Sequence, residues 1–300
     1  MKITTLYVIN MKFTKMQSFG NDYVYIELLT QEMADPSRYA RFLSRHHFGV
    51  GSDGMILICP SDKADFRMRV FNPDGSEAEI CGNAIRSVGK LVYAKGFTKK
   101  TEIQIETLGG TKDIFLHVRN GEVENVTAKW GSPILDYKKI PLAENFTVEK
   151  PLVAYDRTFY MTSVSMGNPH SATFVDDVET LDLKKYGSSI ECNPFFPEKA
   201  NIEFVKVMDR KNLFLRTWER NCGETLACGT GCCVSTVAGV ITGRCDREVD
   251  VHQLGGITKI KWDENEDCLY MTAPTEIVFD GFVPDGAMEK YEKNYAHKGV

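Results

Sequence analysis

One internal register of 147 residues constrains this chain more than any other feature. Cys81 and Cys228 stand 147 positions apart, as do Glu77 and Glu224, Arg69 and Arg216, Gly96 and Gly243, and the pairs Gly20-Asn21 and Gly167-Asn168. Phe71 and Trp218, both aromatic, keep the same offset. The register joins roughly residues 20–96 to 167–243 without a gap. A chain that repeats itself once over such a length folds as two like units carrying the same elements in the same order. The identities gather around the two cysteines, so each unit is expected to hold one cysteine at the head of its central helix.

The second of these helices is the more revealing. No charged residue occurs from Thr225 through Gly243, and Gly243 is a plausible left-handed stop. A surface helix needs a polar face; this one lacks it and is expected to run inside its unit. Its twin spans Ser76 to Gly96. A cysteine at such a helix mouth meets unpaired N–H groups and the positive end of the helix dipole, which favour the thiolate.

At 300 residues each half is large enough for its own core. A net charge of −5 without a long run of like charge leaves no electrostatic footprint for a nucleic-acid partner. Nine cysteines, an odd number with no disulfide-framework spacing, point to a reducing compartment, and a cytoplasmic place is expected. No apolar run reaches the length of a membrane span, and MKITTLYVIN is too short and polar for a signal peptide. Met11 is a candidate for the functional start.

Strands are expected on both sides of the turn Phe19-Gly20-Asn21-Asp22, at MILICP, over Asp65–Phe71 and Thr101–Thr107, and around an Asn120-Gly121 hairpin. Asp35 and Pro36 open a helix reaching His47. GVGSDG, residues 49–54, matches a dinucleotide-binding pattern but follows a helix and precedes a strand, the reverse of the required context, and reads as a turn. Residues 131–157, with three prolines, read as a connection plus an edge strand. The second copy repeats the order, with a helix at Leu181–Ser188 and strands at 161–165, 171–175, 202–208, 213–218 and between 249 and 279. The charged tail beyond Pro284 is expected to fray.

Cys59, Cys192, Cys232, Cys233, Cys245 and Cys268 read as small hydrophobes. Cys81 and Cys228 read differently: two equivalent thiols suit inversion at a tetrahedral carbon. One thiolate removes a proton from one face and the other thiol returns one to the opposite face. A substrate carboxylate at the helix N-termini would gain hydrogen bonds that strengthen as the carbon becomes carbanionic. A metal site of Cys222, Cys228, Cys232 and Cys233 fits no common zinc spacing, so no metal is assigned. Asn21 and Asn168 alone would read as turn residues, Glu77 and Glu224 as groups that cap or orient the helix mouths, and His170 as structural.

FTKMQSFGNDYVYIE, FNPDGSEAEICGNAIR, SMGNPH and ERNCGETLACGTGC resemble the diaminopimelate epimerase family over nearly all of residues 11–283. The resemblance implies an α/β (α+β) fold of two pseudo-symmetric domains, each a curved, mostly antiparallel sheet or barrel around a central helix. The halves would be 11–128 plus about 276–286 and 129–275, with 1–10 and 287–300 as extensions and the strand at FDGFV returning to the first domain. It implies a cofactor-independent, metal-free isomerase converting LL-2,6-diaminopimelate to the meso isomer for lysine and peptidoglycan precursors, and a homodimer with no nucleic-acid or membrane partner. Cys81 and Cys228 match the family's base and acid. Asn21, Asn72, Asn168 and Asn201 match its substrate-binding asparagines, Arg220 the arginine for the distal carboxylate, and Glu219 the acid for an ammonium. Gly82-Asn83 and Gly229-Thr230 match the segments that grip the reacting carboxylate. The chain departs from the family at Gly54, where many members have Gln, and at Ala84, where Gly is usual; an added methyl at 84 would crowd a backbone with glycine-like angles. Three alternatives remain open at this stage: a proline- or hydroxyproline-type racemase, a phenazine-type isomerase, and a non-enzymatic thiol redox protein or metal carrier.

Overall fold

The computed structural model of the chain describes residues 10–295, and the chain divides into two compact units. The first unit holds strands β1 (Met11–Ser18) and β2 (Asn21–Glu27), helix α1 (Pro36–Leu43), strands β3 (Met55–Cys59), β4 (Phe66–Phe71) and β5 (Glu77–Ala78), and helix α2 (Gly82–Ala94). Strands β6 (Glu102–Glu106), β7 (Lys112–Arg119) and β8 (Glu122–Gly131) follow, and the division falls within β8, after Val126. Asp35 caps α1 by accepting from the Arg38 N–H at 3.0 Å. Asn120 and Gly121 both take positive φ, the conformation a two-residue type I′ hairpin requires.

The second unit, Thr127–Ala273, takes the rest of β8, then β9 (Lys150–Ala154), β10 (Arg157–Ser165), β11 (Pro169–Phe174), α3 (Leu183–Glu191), β12 (Asn201–Asp209), β13 (Asn212–Glu219) and β14 (Gly223–Thr225). Helix α4 (Gly229–Ile241) and strands β15 (Glu248–Gln253), β16 (Gly256–Asp263) and β17 (Cys268–Ala273) complete it. The chain then returns to the first unit through β18 (Glu276–Val283), antiparallel to β1 with Met11 opposite Val283, and ends in α5 (Ala287–Tyr295).

The 147-residue offset survives in the strand pairing. Met55 opposes Phe71 in the first unit, and Ile202 opposes Trp218 in the second. Arg69 grips Glu77 with two bonds of 2.8 Å, and Arg216 grips Glu224 with bonds of 2.7 and 3.0 Å. Glu77 and Glu224 therefore tie strand to strand and do not cap the helix mouths. Each unit is mixed in direction: β2–β3 and β11–β12 are parallel, most other pairs antiparallel. Helix α2 packs on β1, β2 and β7, and α4 on β10, β11, β12, β15, β16 and β17, which places each cysteine helix among the strands of its own unit. In α4 every residue from Gly231 to Gly239 is buried, as the absence of charge requires.

Three further expectations are corrected. The tail is not frayed as far as Tyr295: α5 buries Met288, and its Glu292 binds Arg38 of α1 while Tyr291 stacks near Phe42. Cys192, read as a core hydrophobe, is exposed at the end of α3. Ala84 is fully buried inside a regular helix and takes no positive φ, so its methyl is accommodated. The candidate start at Met11 opens β1; residues 1–9 and 296–300 lie outside the described residues.

Close packing makes one glycine of α3 indispensable. A Cβ on Gly187 would stand 2.6 Å from Cγ of Trp218. Gly187→Ala should therefore destabilise the protein by roughly 1–3 kcal/mol, although alanine is the better helix former by about 1 kcal/mol. Urea unfolding followed by tryptophan fluorescence measures it, and a stabilised variant would contradict the packing.

Candidate active site

In the first unit the site begins at the N-cap of α2. Cys81 caps the helix with extended backbone angles (φ −132°, ψ 120°) and makes no side-chain cap bond. Its half-buried thiol donates to Asn21 Oδ1 at 3.6 Å, and Asn83 Nδ2 donates to the same oxygen at 3.3 Å. Asn21 in turn donates to Asp53 Oδ2 at 2.8 Å. The structure thus brings Asn21, Cys81, Gly82 and Asn83 together at one helix mouth, whose first amides no intrahelical carbonyl can reach. Asn72 binds locally instead, donating to Ser76 Oγ at 3.0 Å in the turn after β4.

The second unit repeats the mouth with different neighbours. Cys228 caps α4, and its sulfur accepts from the Gly231 N–H at 3.4 Å and lies 3.5 Å from Thr230 Oγ1. The Cys228 N–H donates to Gln253 Oε1 at 2.7 Å. Asn201 is almost fully buried: it donates to the Pro169 carbonyl at 2.9 Å and accepts from the Arg220 N–H at 2.9 Å. Arg220 donates from its guanidinium to the Glu198 carbonyl at 3.3 Å, and Glu219 Oε1 accepts from Thr225 Oγ1 at 2.6 Å. Asn168 Oδ1 meets His170 Nε2 at 3.0 Å.

Sequence reasoning set His170 aside and missed Glu203. Both are fully buried, and His170 Nδ1 stands 2.7 Å from Glu203 Oε1. Glu203 Oε2 has no hydrogen-bond partner among the described residues. One donor atom each from His170, Glu203 and Cys228 lies within 4.8 Å of the others, a nitrogen, oxygen and sulfur set that a metal could use. Two ligands about 2.1 Å from one tetrahedral zinc stand roughly 3.4 Å apart. The shorter spacing of the His170–Glu203 pair is that of a shared proton. A signal for Glu203 was present: it is a lone acid in the apolar run Ile202–Val205, and its partner in the repeat is Ile56.

The Cys228 thiol is held in its protonated form by its surroundings. Burial raises Cys228 well above the ordinary thiol range, and the charges of Glu219 and Glu203 push it further. Glu219 is itself raised by burial. Cys228 therefore rests as a thiol, the form that can give a proton.

These capped, duplicated mouths define a two-cysteine isomerase-type scaffold, and the comparisons say which family carries it. The family model described as diaminopimelate epimerase matches residues 13–135 and 162–278. A diaminopimelate epimerase from Methanococcus maripaludis strain C5 is 48% identical over 273 residues, 90% of this chain and 99% of that protein. One from Acetivibrio thermocellus is 48% identical over 276 residues, 91% and 98% of the two chains. The chain belongs to the diaminopimelate epimerase family. The fold is also that of a Bacillus anthracis phenazine biosynthesis protein of the PhzF family (TM-score 0.66, 17% identity, 91% and 99% coverage). A probable proline racemase from Agrobacterium radiobacter K84 shares it as well (TM-score 0.64, 12% identity, 92% and 95% coverage).

Glu219→Gln removes a negative charge that disfavours the Cys228 thiolate, so the thiol should ionise at lower pH. Alkylation of Cys228 by iodoacetamide near pH 8, located by peptide mass spectrometry, should run roughly three to ten times faster than in the wild type. Unchanged or slower alkylation would show that Glu219 does not set the state of this sulfur.

Proposed function

We propose that this protein interconverts LL-2,6-diaminopimelate and its meso isomer with Cys81 and Cys228 as the proton-transfer pair. The observation that carries the reading is the cysteine N-cap repeated in register in both units, in a chain of this family. In the forward step the thiolate of one cysteine takes the α-proton. The C–H bond breaks with its electron pair left on carbon, and the other cysteine's S–H proton is delivered to the opposite face. Gly82, Asn83, Gly229 and Thr230 offer the amides of two helix N-termini to the carboxylate of the reacting centre. Glu219 takes an ammonium, Arg220 takes the distal carboxylate as a fork, and Asn21, Asn72, Asn168 and Asn201 orient the rest. The raised Cys228 fits the donor role when the enzyme is free.

The reading assigns base, acid and carbanion stabilisation to protein groups, so it calls for neither pyridoxal phosphate nor a metal. We place the reaction in the cytoplasm, since no disulfide joins the nine cysteines, all of which are among the described residues, and in lysine and peptidoglycan precursor supply, as membership of the family suggests. We also propose a homodimer joined through the first unit, where β18 exposes Val278, Phe279 and Phe282. Phe282→Glu should shift the protein from dimer to monomer in sedimentation at micromolar concentration; a monomeric wild type would refute the dimer.

The decisive experiment follows the α-carbon. Reduced protein with LL-diaminopimelate in heavy water, free of pyridoxal phosphate and metal, should incorporate deuterium and form the meso isomer by NMR. Cys81→Ser and Cys228→Ser should each lower turnover by about 100-fold or more without changing the circular dichroism. Full activity in both variants would end the two-thiol mechanism, and exchange of proline instead of diaminopimelate would move the protein to the proline racemase type.

A further inference from the structure

The GVGSDG segment, residues 49–54, reads in the sequence as a plain turn, yet its one acid reaches the first cysteine site. Asp53 lies between α1 and β3, in a segment held firmly to its neighbours. The Ser52 N–H donates to the Ser44 carbonyl at 3.0 Å, and the Val24 N–H to the Gly54 carbonyl at 3.1 Å. The Lys15 ammonium joins the Gly51 carbonyl to the Asp22 carboxylate. Asp53 and Asp22 bind each other twice. The Asp53 N–H donates to the Asp22 carbonyl at 2.9 Å, and the Asp22 N–H donates to Asp53 Oδ2 at 3.0 Å. The same Oδ2 accepts from Asn21 Nδ2 at 2.8 Å.

From this carboxylate a chain of hydrogen bonds runs into α2 with one polarity. A carboxylate only accepts, so the Asn21 NH2 faces Asp53 and the Asn21 oxygen faces the helix mouth. That oxygen accepts from Asn83 Nδ2 at 3.3 Å and from the Cys81 thiol at 3.6 Å. Asn83 Oδ1 in turn accepts from Arg86 Nη2 at 2.6 Å. A guanidinium only donates, so the second amide is fixed from the other end. Arg86 is fully buried and also holds the Gly82 carbonyl at 2.9 Å and Ser18 Oγ at 3.1 Å. A turned Asn21 carboxamide would set its oxygen against Asp53 and its NH2 against the NH2 of Asn83. The second unit lacks this device. The repeat partner of Asp53 is Ala200 (200 − 53 = 147), and Asn168, the partner of Asn21, meets His170 instead.

We infer that Asp53 is a positioning residue: it holds the Asn21 carboxamide so that its oxygen, and not its NH2, faces the Cys81 sulfur. The inference rests on the reading of Cys81 as a proton-transfer group. When the Cys81 thiolate takes the substrate proton, the C–H bond breaks with its electron pair left on carbon and an S–H bond forms. The Asn21 oxygen is the acceptor waiting for that S–H. Asp53 itself exchanges no proton; it acts through Asn21 alone.

Asp53→Ala frees the carboxamide to turn its NH2 toward the sulfur and ease its ionisation, whereas Asp53→Asn keeps an acceptor oxygen for both N–H groups. Iodoacetamide alkylation of Cys81 near pH 8, located by peptide mass spectrometry, should run about three to ten times faster in Asp53→Ala and stay within about twofold of the wild type in Asp53→Asn. Turnover should fall by a similar factor in Asp53→Ala and by less in Asp53→Asn. Asp53 is exposed, so the circular dichroism of both variants and their Cys228 alkylation should match the wild type. In an Asn21→Ala background, Asp53→Ala should change Cys81 alkylation no further. An unmoved Cys81 rate, an equal acceleration in Asp53→Asn, or an undiminished effect without Asn21 overturns the inference whatever the activity does. A moved Cys81 rate with a wild-type protein inert toward diaminopimelate keeps the positioning and retires the proposed reaction instead.

Discussion

Everything in this molecule depends on burying a helix whose first turn has no carbonyl partners. Nine consecutive residues of α4 are buried, so the amides at its mouth cannot all turn to water. The structure satisfies one of them with sulfur: the Gly231 N–H donates to Cys228. The glycines of Cys228-Gly229-Thr230-Gly231 follow from the same closeness. A Cβ on Gly229 would stand 2.9 Å from Met271 Sδ, and one on Gly231 would stand 3.0 Å from Glu203 Oε1. A motif that reads as a catalytic signature is thus also a packing requirement, because the two glycines admit Met271 and Glu203 at a crowded helix end.

The duplication supplies two such mouths and then makes them unequal. The Cys81 sulfur is half-buried against a neutral carboxamide, whereas Cys228 is buried beside Glu219 and Glu203, whose charges hold its proton in place. Two thiols acting on opposite faces of one carbon must differ at rest, since one must lack the proton the other carries. On the proposed reading, a substrate ammonium set against Glu219 would cancel part of the charge that keeps Cys228 protonated. Binding would then ease the loss of the Cys228 proton, which suits a reaction that runs both ways.

The fold was legible where the repeat spoke twice. The offset seen in Arg69, Phe71 and Glu77 against Arg216, Trp218 and Glu224 is the offset of the strand registers themselves, because these residues sit on paired strands and grip one another. Tertiary contacts that neither copy announces were not legible. The α5 helix is stabilised by Arg38, some 250 positions earlier, so its charged sequence looked merely solvated. Glu203 was harder to assign for a related reason: it stands out as a lone acid opposite Ile56 in the repeat, but that signal names no role until His170 is placed beside it. The cysteine pair and its asparagines were visible as motifs, and the structure adds the neighbours that give each its character.

Divergence between the copies is best read position by position along the parallel strand pairs. At 170 and 201 the second unit has His and Asn in direct register, the Asn tying the Arg220 N–H to the Pro169 carbonyl. At 23 and 54 the first unit has Tyr and Gly, and the larger ring occupies what the smaller residue leaves. The sum of the two side chains changes less than either alone, as a close-packed interior demands. Conserved volume with altered polarity lets the second unit set an imidazole–carboxylate pair beside Cys228, where the first unit has Tyr23 and Ile56 at the equivalent positions. The surroundings of Cys228 therefore arise from paired substitutions on equivalent strands, and a change at 201 acts beside that cysteine through the ring at 170.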